Sequence, residues 1–181
     1  EIARAKVNLT LRVLGRRPDG YHELESLVAF ADVGDGIDFL PGAPAAVTVG
    51  GRFAGDIAGA NIAALALQKA AAAALGIELG AVAIDKRLPV AAGLGGGSAD
   101  AAAVLRAIRR ANPSREAGID WHAIAASLGA DVPVCPRSAA QFMWGTGHDT
   151  VAVPALPVLP AILVNPGVPL ATAAVFRALA A

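Results

Sequence analysis

The stretch PVAAGLGGGSADAAAVLRAIRR, residues 89–110, sets the tightest limit on what this chain can become. Four glycines fall within the five positions Gly93 to Gly97 and run straight into an alanine-rich pattern with helical spacing. A helix start offers unpaired N–H groups and the positive end of the helix dipole, and both favour a bound anion, phosphate above all. Glycines let the backbone wrap such a group at hydrogen-bonding distance. The alternative is a mobile linker, which predicts neighbours of mixed polar character; here the neighbours are apolar and ordered in tendency. Ser98 stands where its hydroxyl can cap the helix, touch a phosphate or help to hold Mg²⁺.

The common phosphate motifs do not fit. A P-loop needs Gly-Lys-Ser/Thr after its spacers, and no lysine follows these glycines. The dinucleotide fingerprint needs glycine or alanine at Ser98 and a strand leading directly into the loop, whereas RLPVAA intervenes with Pro89 in its middle. The protein-kinase loop joins two strands, and this one opens a helix.

Composition narrows the classes further. With 55% hydrophobic and 17% charged residues over 181 positions, the chain reads as a folded globule. The 15 basic and 15 acidic residues balance, and no basic block with interleaved aromatics is present, which speaks against nucleic-acid binding. Cys135 is the single cysteine, so no intrachain disulfide forms, and EIARAKVNLTL lacks the layout of a signal peptide. The uncharged run from Val151 to Phe176 is broken by five prolines, which suits no membrane span. A soluble cytoplasmic protein is the expectation.

Residues 3–14 alternate, with Val7, Leu9, Leu11 and Val13 on one face and Lys6, Asn8, Thr10 and Arg12 on the other, which predicts a half-buried strand. Pro18-Asp19-Gly20 marks a turn, and a strand over about 24–30 completes an antiparallel hairpin. Further strands are expected at GIDFL (36–40), AVTVG (46–50), AVAIDK (81–86), AAQFMW (139–144) and PAILVN (160–165). Helices are expected over about 61–75 ending at Gly76, over 98–110 stopped by Asn112-Pro113, from an Asp120 N-cap to Gly129, and over 172–180. Strands come first and then mix with helices, an α+β order.

PVAAGLGGGSADAAAVL resembles the phosphate loop of the GHMP small-molecule kinases, and AKVNLTLRVLGRRPDGYHELESL, LGADVPV and NPGVPLATAAVF resemble three further segments of that family, in the same order. The start of the chain is similar to the branch that uses ATP to phosphorylate a tertiary hydroxyl on a cytidine-diphosphate sugar alcohol, in a route to isoprenoid precursors. The resemblance implies an N-terminal ATP-binding domain over 1–155, a mixed sheet packed with helices. It also implies that 156–181 begins a second, ferredoxin-like domain most of which lies outside this chain. Rival readings are another GHMP kinase, or a nucleotide-binding piece without activity of its own.

Residue by residue, the resemblance implies Asp131 as the catalytic carboxylate with Lys6 as its partner, the lysine steering the attacking oxygen. Read locally, Lys6 can point from a rigid strand into a cleft but is better taken as a solvated strand charge, and Asp131 is equally a turn aspartate after a helix-ending glycine. Pro89, Gly93, Leu94, Gly95, Gly96, Gly97 and Ser98 become the ATP phosphate cradle, and Asn61 and Lys86 match positions near the nucleotide. Asn8, Tyr21, His22, Thr172 and Phe176 become the substrate site: Tyr21 and Phe176 stack on the cytosine and His22 reads its edge. The local alternatives are loop surface for Tyr21 and His22 and a core position for Phe176. Mg²⁺ is implied only as the counter-ion of ATP, with Ser98 a candidate contact. His122 and His148 lack companions at metal-ligand spacing, so no structural metal is proposed. Cys135 reads as a small buried apolar residue.

Overall fold

The computed structural model describes residues 1–18, 20–57, 59–147, 149–154, 156–168 and 172–179, without the side chains of 172, 173 and 177. Its base is a long hairpin of β1 (Ile2–Arg16) and β2 (His22–Pro41), antiparallel throughout. The turn between them is closed by the Gly20 N–H donating to the Arg17 carbonyl at 3.0 Å. Asp19, expected inside that turn, lies outside the described residues.

GIDFL, expected as a separate strand, is the far end of β2, which runs unbroken for 20 residues. The glycines in VGDGID suggest a turn by composition but serve a close approach instead. A Cβ at Gly34 would lie 2.4 Å from the Ala3 carbonyl oxygen and 2.9 Å from Arg4 Cα. Gly34 is therefore where β1 crosses β2 too tightly for any side chain.

The simple alternation expected for β1 is also corrected. Pairing with β2 shifts register between Asn8 and Thr10 and again between Val13 and Gly15. Each shift inserts one residue and turns the following side chains to the other face. Lys6, Asn8, Leu11, Val13 and Arg16 consequently line one cleft although their parity changes twice, and Leu9 is 40% exposed. The face expected to be solvated carries the buried Lys6, while the expected core position Leu9 looks outward.

β3 (Ala46–Gly50), α1 (Ile62–Ala73) and β4 (Gly80–Asp85) follow, with β3 and β4 parallel and β4 antiparallel to the end of β2. α2 (Gly96–Ala111) and α3 (Trp121–Ala126) lead to β5 (Gln141–Gly145), which pairs with the first part of β2, and to β6 (Asp149–Ala152), which sequence reasoning missed. The result is a mixed six-stranded sheet packed with helices, the expected α+β arrangement. Asp120 Oδ1 caps α3 by accepting from Ala123 N–H at 2.9 Å, and Asn112 ends α2. Residues 160–165 are not in a strand: Pro160 and Pro166 bracket them, and no described strand pairs with them. The last element described is α4 (Thr172–Ala178).

The core is built from small residues. Ala99, Ala101, Ala102, Ala103, Val104 and Ile108 on α2 are buried against Ala63, Ala66 and Ala70 of α1 and against Val28, Ile37, Val82 and Ile84 of the sheet. Alanine on both helices allows close approach, so α2 lies deep between α1 and the sheet. That depth fixes the start of α2, and with it the glycine loop. Among the described residues, no helix is long and apolar enough to cross a membrane.

Candidate active site

α2 begins two residues earlier than its sequence pattern predicts, inside the glycines, with Gly95 as N-cap at φ 64°. That left-handed conformation turns the chain so that the first amides of α2 face the opening above them, and Ala99 N–H closes the first turn on Gly95 O at 2.8 Å. The loop is tied to β1 by the Lys6 N–H donating to Leu94 O at 2.8 Å. This bond uses the edge of β1 that faces away from β2.

The Lys6 side chain is 4% exposed and its Nζ donates to Asn8 Oδ1 at 2.8 Å and lies 3.3 Å from Asp131 Oδ1. Asp131 sits in the turn after α3, its side chain 41% exposed, between the turn at Gly129 and the buried Val132 and Val134. Two rigid elements distant in sequence thus bring an ammonium and a half-open carboxylate together. Lys6 is thus buried and paired rather than a solvated strand charge.

A cleft of about 1470 Å³ runs over this pair. Lys6, Asn8, Tyr21, His22, Asn61, Lys86, Pro89, Gly93, Leu94, Gly95, Gly96, Gly97, Ser98, Asp131 and Phe176 all line it. Thr172 opens α4, but its side chain lies outside the described residues, as does His148. His122 is exposed on α3, away from the cleft lining. One end of the cleft is the glycine loop; the other holds Tyr21, 63% exposed, and the His22 and Phe176 rings, stacked with centroids 5.0 Å apart. That spacing leaves no room for a third ring between His22 and Phe176. Leu11, Val13 and Leu24 give the middle an apolar wall.

Asn61 is the N-cap of α1, its Oδ1 accepting from Ala63 N–H at 2.8 Å, so capping fixes the side chain that lines the cleft. Lys86 is committed more deeply: its Nζ lies 2.5 Å from Asp35 Oδ2 and 2.7 Å from Asp100 Oδ2, all three buried. Burial pushes the Asp100 carboxyl up to about 7, against the pull of Lys86 and with Asp35 adding to the rise. For Lys86 burial works downward, but the two carboxylates outweigh it and its value is raised. Sequence reasoning named Lys86 and missed Asp35 and Asp100. Nothing local signals a cluster whose members are separated by 51 and 14 residues.

Among the described residues there is no group of three or more His, Cys, Asp or Glu that could cage a metal ion. Oxygen-bearing side chains along the cleft include the Ser98 hydroxyl, the Asp131 carboxylate and the Asp100 carboxylate, the last already engaged by Lys86. Such a sparse set suits a Mg²⁺ ion that arrives on phosphates and keeps several of its waters.

The family model for the GHMP kinases N terminal domain matches residues 57–137, which span α1, β4, the glycine loop, α2, α3 and Asp131. The chain carries the GHMP kinase N-terminal domain. Within it, the similarity is to 4-diphosphocytidyl-2-C-methyl-D-erythritol kinases. Curated proteins of that name from Methylobacterium radiotolerans and Methylorubrum extorquens (strain PA1) are 52% and 49% identical, each over 98% of this chain and 62% of their own length. One from Bradyrhizobium sp. (strain BTAi1) is 50% identical over 99% of this chain and 60% of its own. A solved structure titled 4-(cytidine 5'-diphospho)-2C-methyl-D-erythritol kinase superposes with a TM-score of 0.71 at 37% identity, covering 87% of this chain and 55% of that one. The chain thus spans about three-fifths of the length of the curated relatives it matches.

Proposed function

We propose that the protein containing this chain transfers the γ-phosphoryl group of ATP to the 2-hydroxyl of 4-diphosphocytidyl-2-C-methyl-D-erythritol, giving ADP and the 2-phosphate, in the cytoplasmic synthesis of isoprenoid precursors by the non-mevalonate route. Residues 1–155 form its ATP-binding domain, and 156–181 begin the domain that closes over the substrate. The observation that carries this reading is the Lys6–Asp131 pair, set between an anion-binding loop and an aromatic end within one cleft.

Phosphoryl transfer asks little covalent chemistry of a protein; it needs alignment, charge neutralisation and a group to receive the hydroxyl proton. The amides of 95–98 and the α2 dipole hold the phosphates at one end. At the other, the cytosine stacks on Tyr21 and Phe176 with His22 at its edge, a reading supported by all three side chains lining that part of the cleft. Asn8 and Lys6 orient the substrate hydroxyl toward Asp131. The hydroxyl oxygen bonds to the γ-phosphorus, the bond to the bridging oxygen of ADP breaks, and the proton passes to Asp131. The Ser98 hydroxyl and the phosphates would hold Mg²⁺, which would supply neutralisation of charge on the transferred group.

ADP release measured with MgATP against a panel of alcohols tests the assignment. Turnover is expected with the cytidylyl substrate and not with homoserine or mevalonate. Turnover with one of those instead leaves the GHMP kinase family standing and removes the substrate.

A further inference from the structure

The Asp35–Lys86–Asp100 cluster lies outside the proposed chemistry, yet it occupies the space directly beneath the glycine loop. A Cβ at Gly96 would lie 3.3 Å from Lys86 Nζ and 3.6 Å from both Asp35 Oδ2 and Leu88 Cδ1. The missing side chain at 96 therefore points toward the buried cluster. A methyl group there fits only if Lys86 Nζ, held by two carboxylates, gives way by a few tenths of an ångström.

The cluster ties the loop to three other parts of the fold. Asp35, at the crossing in β2, accepts from the Arg87 and Leu88 amides at 2.6 and 2.7 Å as well as from Lys86. The Lys86 backbone is held on its other side, its N–H donating to Gly50 O at 2.8 Å and its carbonyl accepting from Phe53 N–H at 3.1 Å. Asp100, in the second turn of α2, is paired with Lys86: its Oδ2 takes that bond, and its buried Oδ1 has no hydrogen-bond partner among the described residues.

We propose that Lys86 is a positioning residue for the nucleotide phosphates, acting through Asp100 and the backbone at Gly96 instead of touching the nucleotide. Asp35 anchors the ammonium to the sheet. The ammonium then draws Asp100, and with it the start of α2, down onto the sheet, which sets the direction of the loop amides. This inference rests on the nucleotide reading of the cleft.

The test is a thermodynamic cycle on MgADP affinity between Gly96→Ala and Asp100→Ala, read by titration calorimetry on the full chain with thermal melting alongside. Asp100→Ala leaves Lys86 paired one-to-one with Asp35, so the chain folds while the loop is untied. Each single change is expected to weaken MgADP roughly tenfold, and the double change also roughly tenfold, because a lysine released from Asp100 can move away from the new methyl group. An additive loss of roughly a hundredfold overturns the inference, since the methyl group at 96 would then act on the nucleotide independently of the cluster. So does an Asp100→Ala chain that melts lower but binds MgADP unchanged, which makes the cluster purely structural. No MgADP binding by the unaltered chain overturns the nucleotide reading and this inference with it.

Discussion

Replacing Gly95 by alanine isolates how the loop and the Lys6 side chain depend on each other. Gly95 holds φ 64°, and an alanine there costs about 1 kcal/mol for the left-handed backbone alone. Its methyl carbon would also lie 3.2 Å from Lys6 Cβ and 3.4 Å from Lys6 Cε. The lysine cannot give way cheaply. Its amide is bonded to Leu94 O at 2.8 Å, and its ammonium is held by Asn8 at 2.8 Å and Asp131 at 3.3 Å. Overpacking against a pinned side chain adds about 1–2 kcal/mol. Gly93→Ala is the control: Gly93 has φ 73°, but a Cβ there meets nothing within 4 Å. For a chain of this size, Gly93→Ala should lower the melting temperature by about 2–4 °C and Gly95→Ala by about 5–10 °C, measured by circular dichroism. Equal losses would refute the claim that the loop rests on Lys6.

Asp131→Asn should lower kcat by about 10²–10⁴ with little change in nucleotide affinity, checked by steady-state kinetics beside calorimetry. Phe176→Ala should raise KM for the cytidylyl substrate about tenfold and leave KM for ATP unaltered, because stacking contributes about 1–3 kcal/mol per base. Gly34→Ala sets a methyl group 2.4 Å from the Ala3 carbonyl oxygen, and should cost about 3 kcal/mol or more in a denaturant titration. Burial, reinforced by the Asp131 charge, raises the Cys135 thiol from 9.0 to about 12. The fold keeps the neutral thiol, so its contribution is intact below pH 9.0 and lost as pH rises toward about 12. Stability of Cys135→Ala against pH should accordingly decline less steeply on the alkaline side.

Features that rest on neighbours in sequence were legible. The glycines against an alanine-rich helix gave the loop that opens α2, Asp120 and Asn112-Pro113 gave helix ends, and the start of β1 gave the hairpin. Features that rest on distant contacts were not. Gly34 looks like a turn residue because nothing nearby reveals that the Ala3 carbonyl will fill its side-chain space. The bulges of β1 beyond Asn8 and beyond Val13 reverse the inward face twice, so a period-two reading put Leu9 inside, where the structure leaves it 40% exposed. The same bulges bring Lys6, Asn8, Leu11 and Val13 to a single wall of the cleft. The proposed catalytic pair was legible only through family resemblance, because each partner alone fits a bland local role. Lys86 was named for the nucleotide and found holding two buried carboxylates from beneath.

Phosphorus NMR of MgATP with 4-diphosphocytidyl-2-C-methyl-D-erythritol tests the central claim most directly, run on the unaltered protein beside Asp131→Asn. A phosphomonoester signal should grow as ATP is converted to ADP, and should be absent or far slower with the variant. An Asp131→Asn protein that forms the same signal at the same rate would contradict the role given to the Lys6–Asp131 pair.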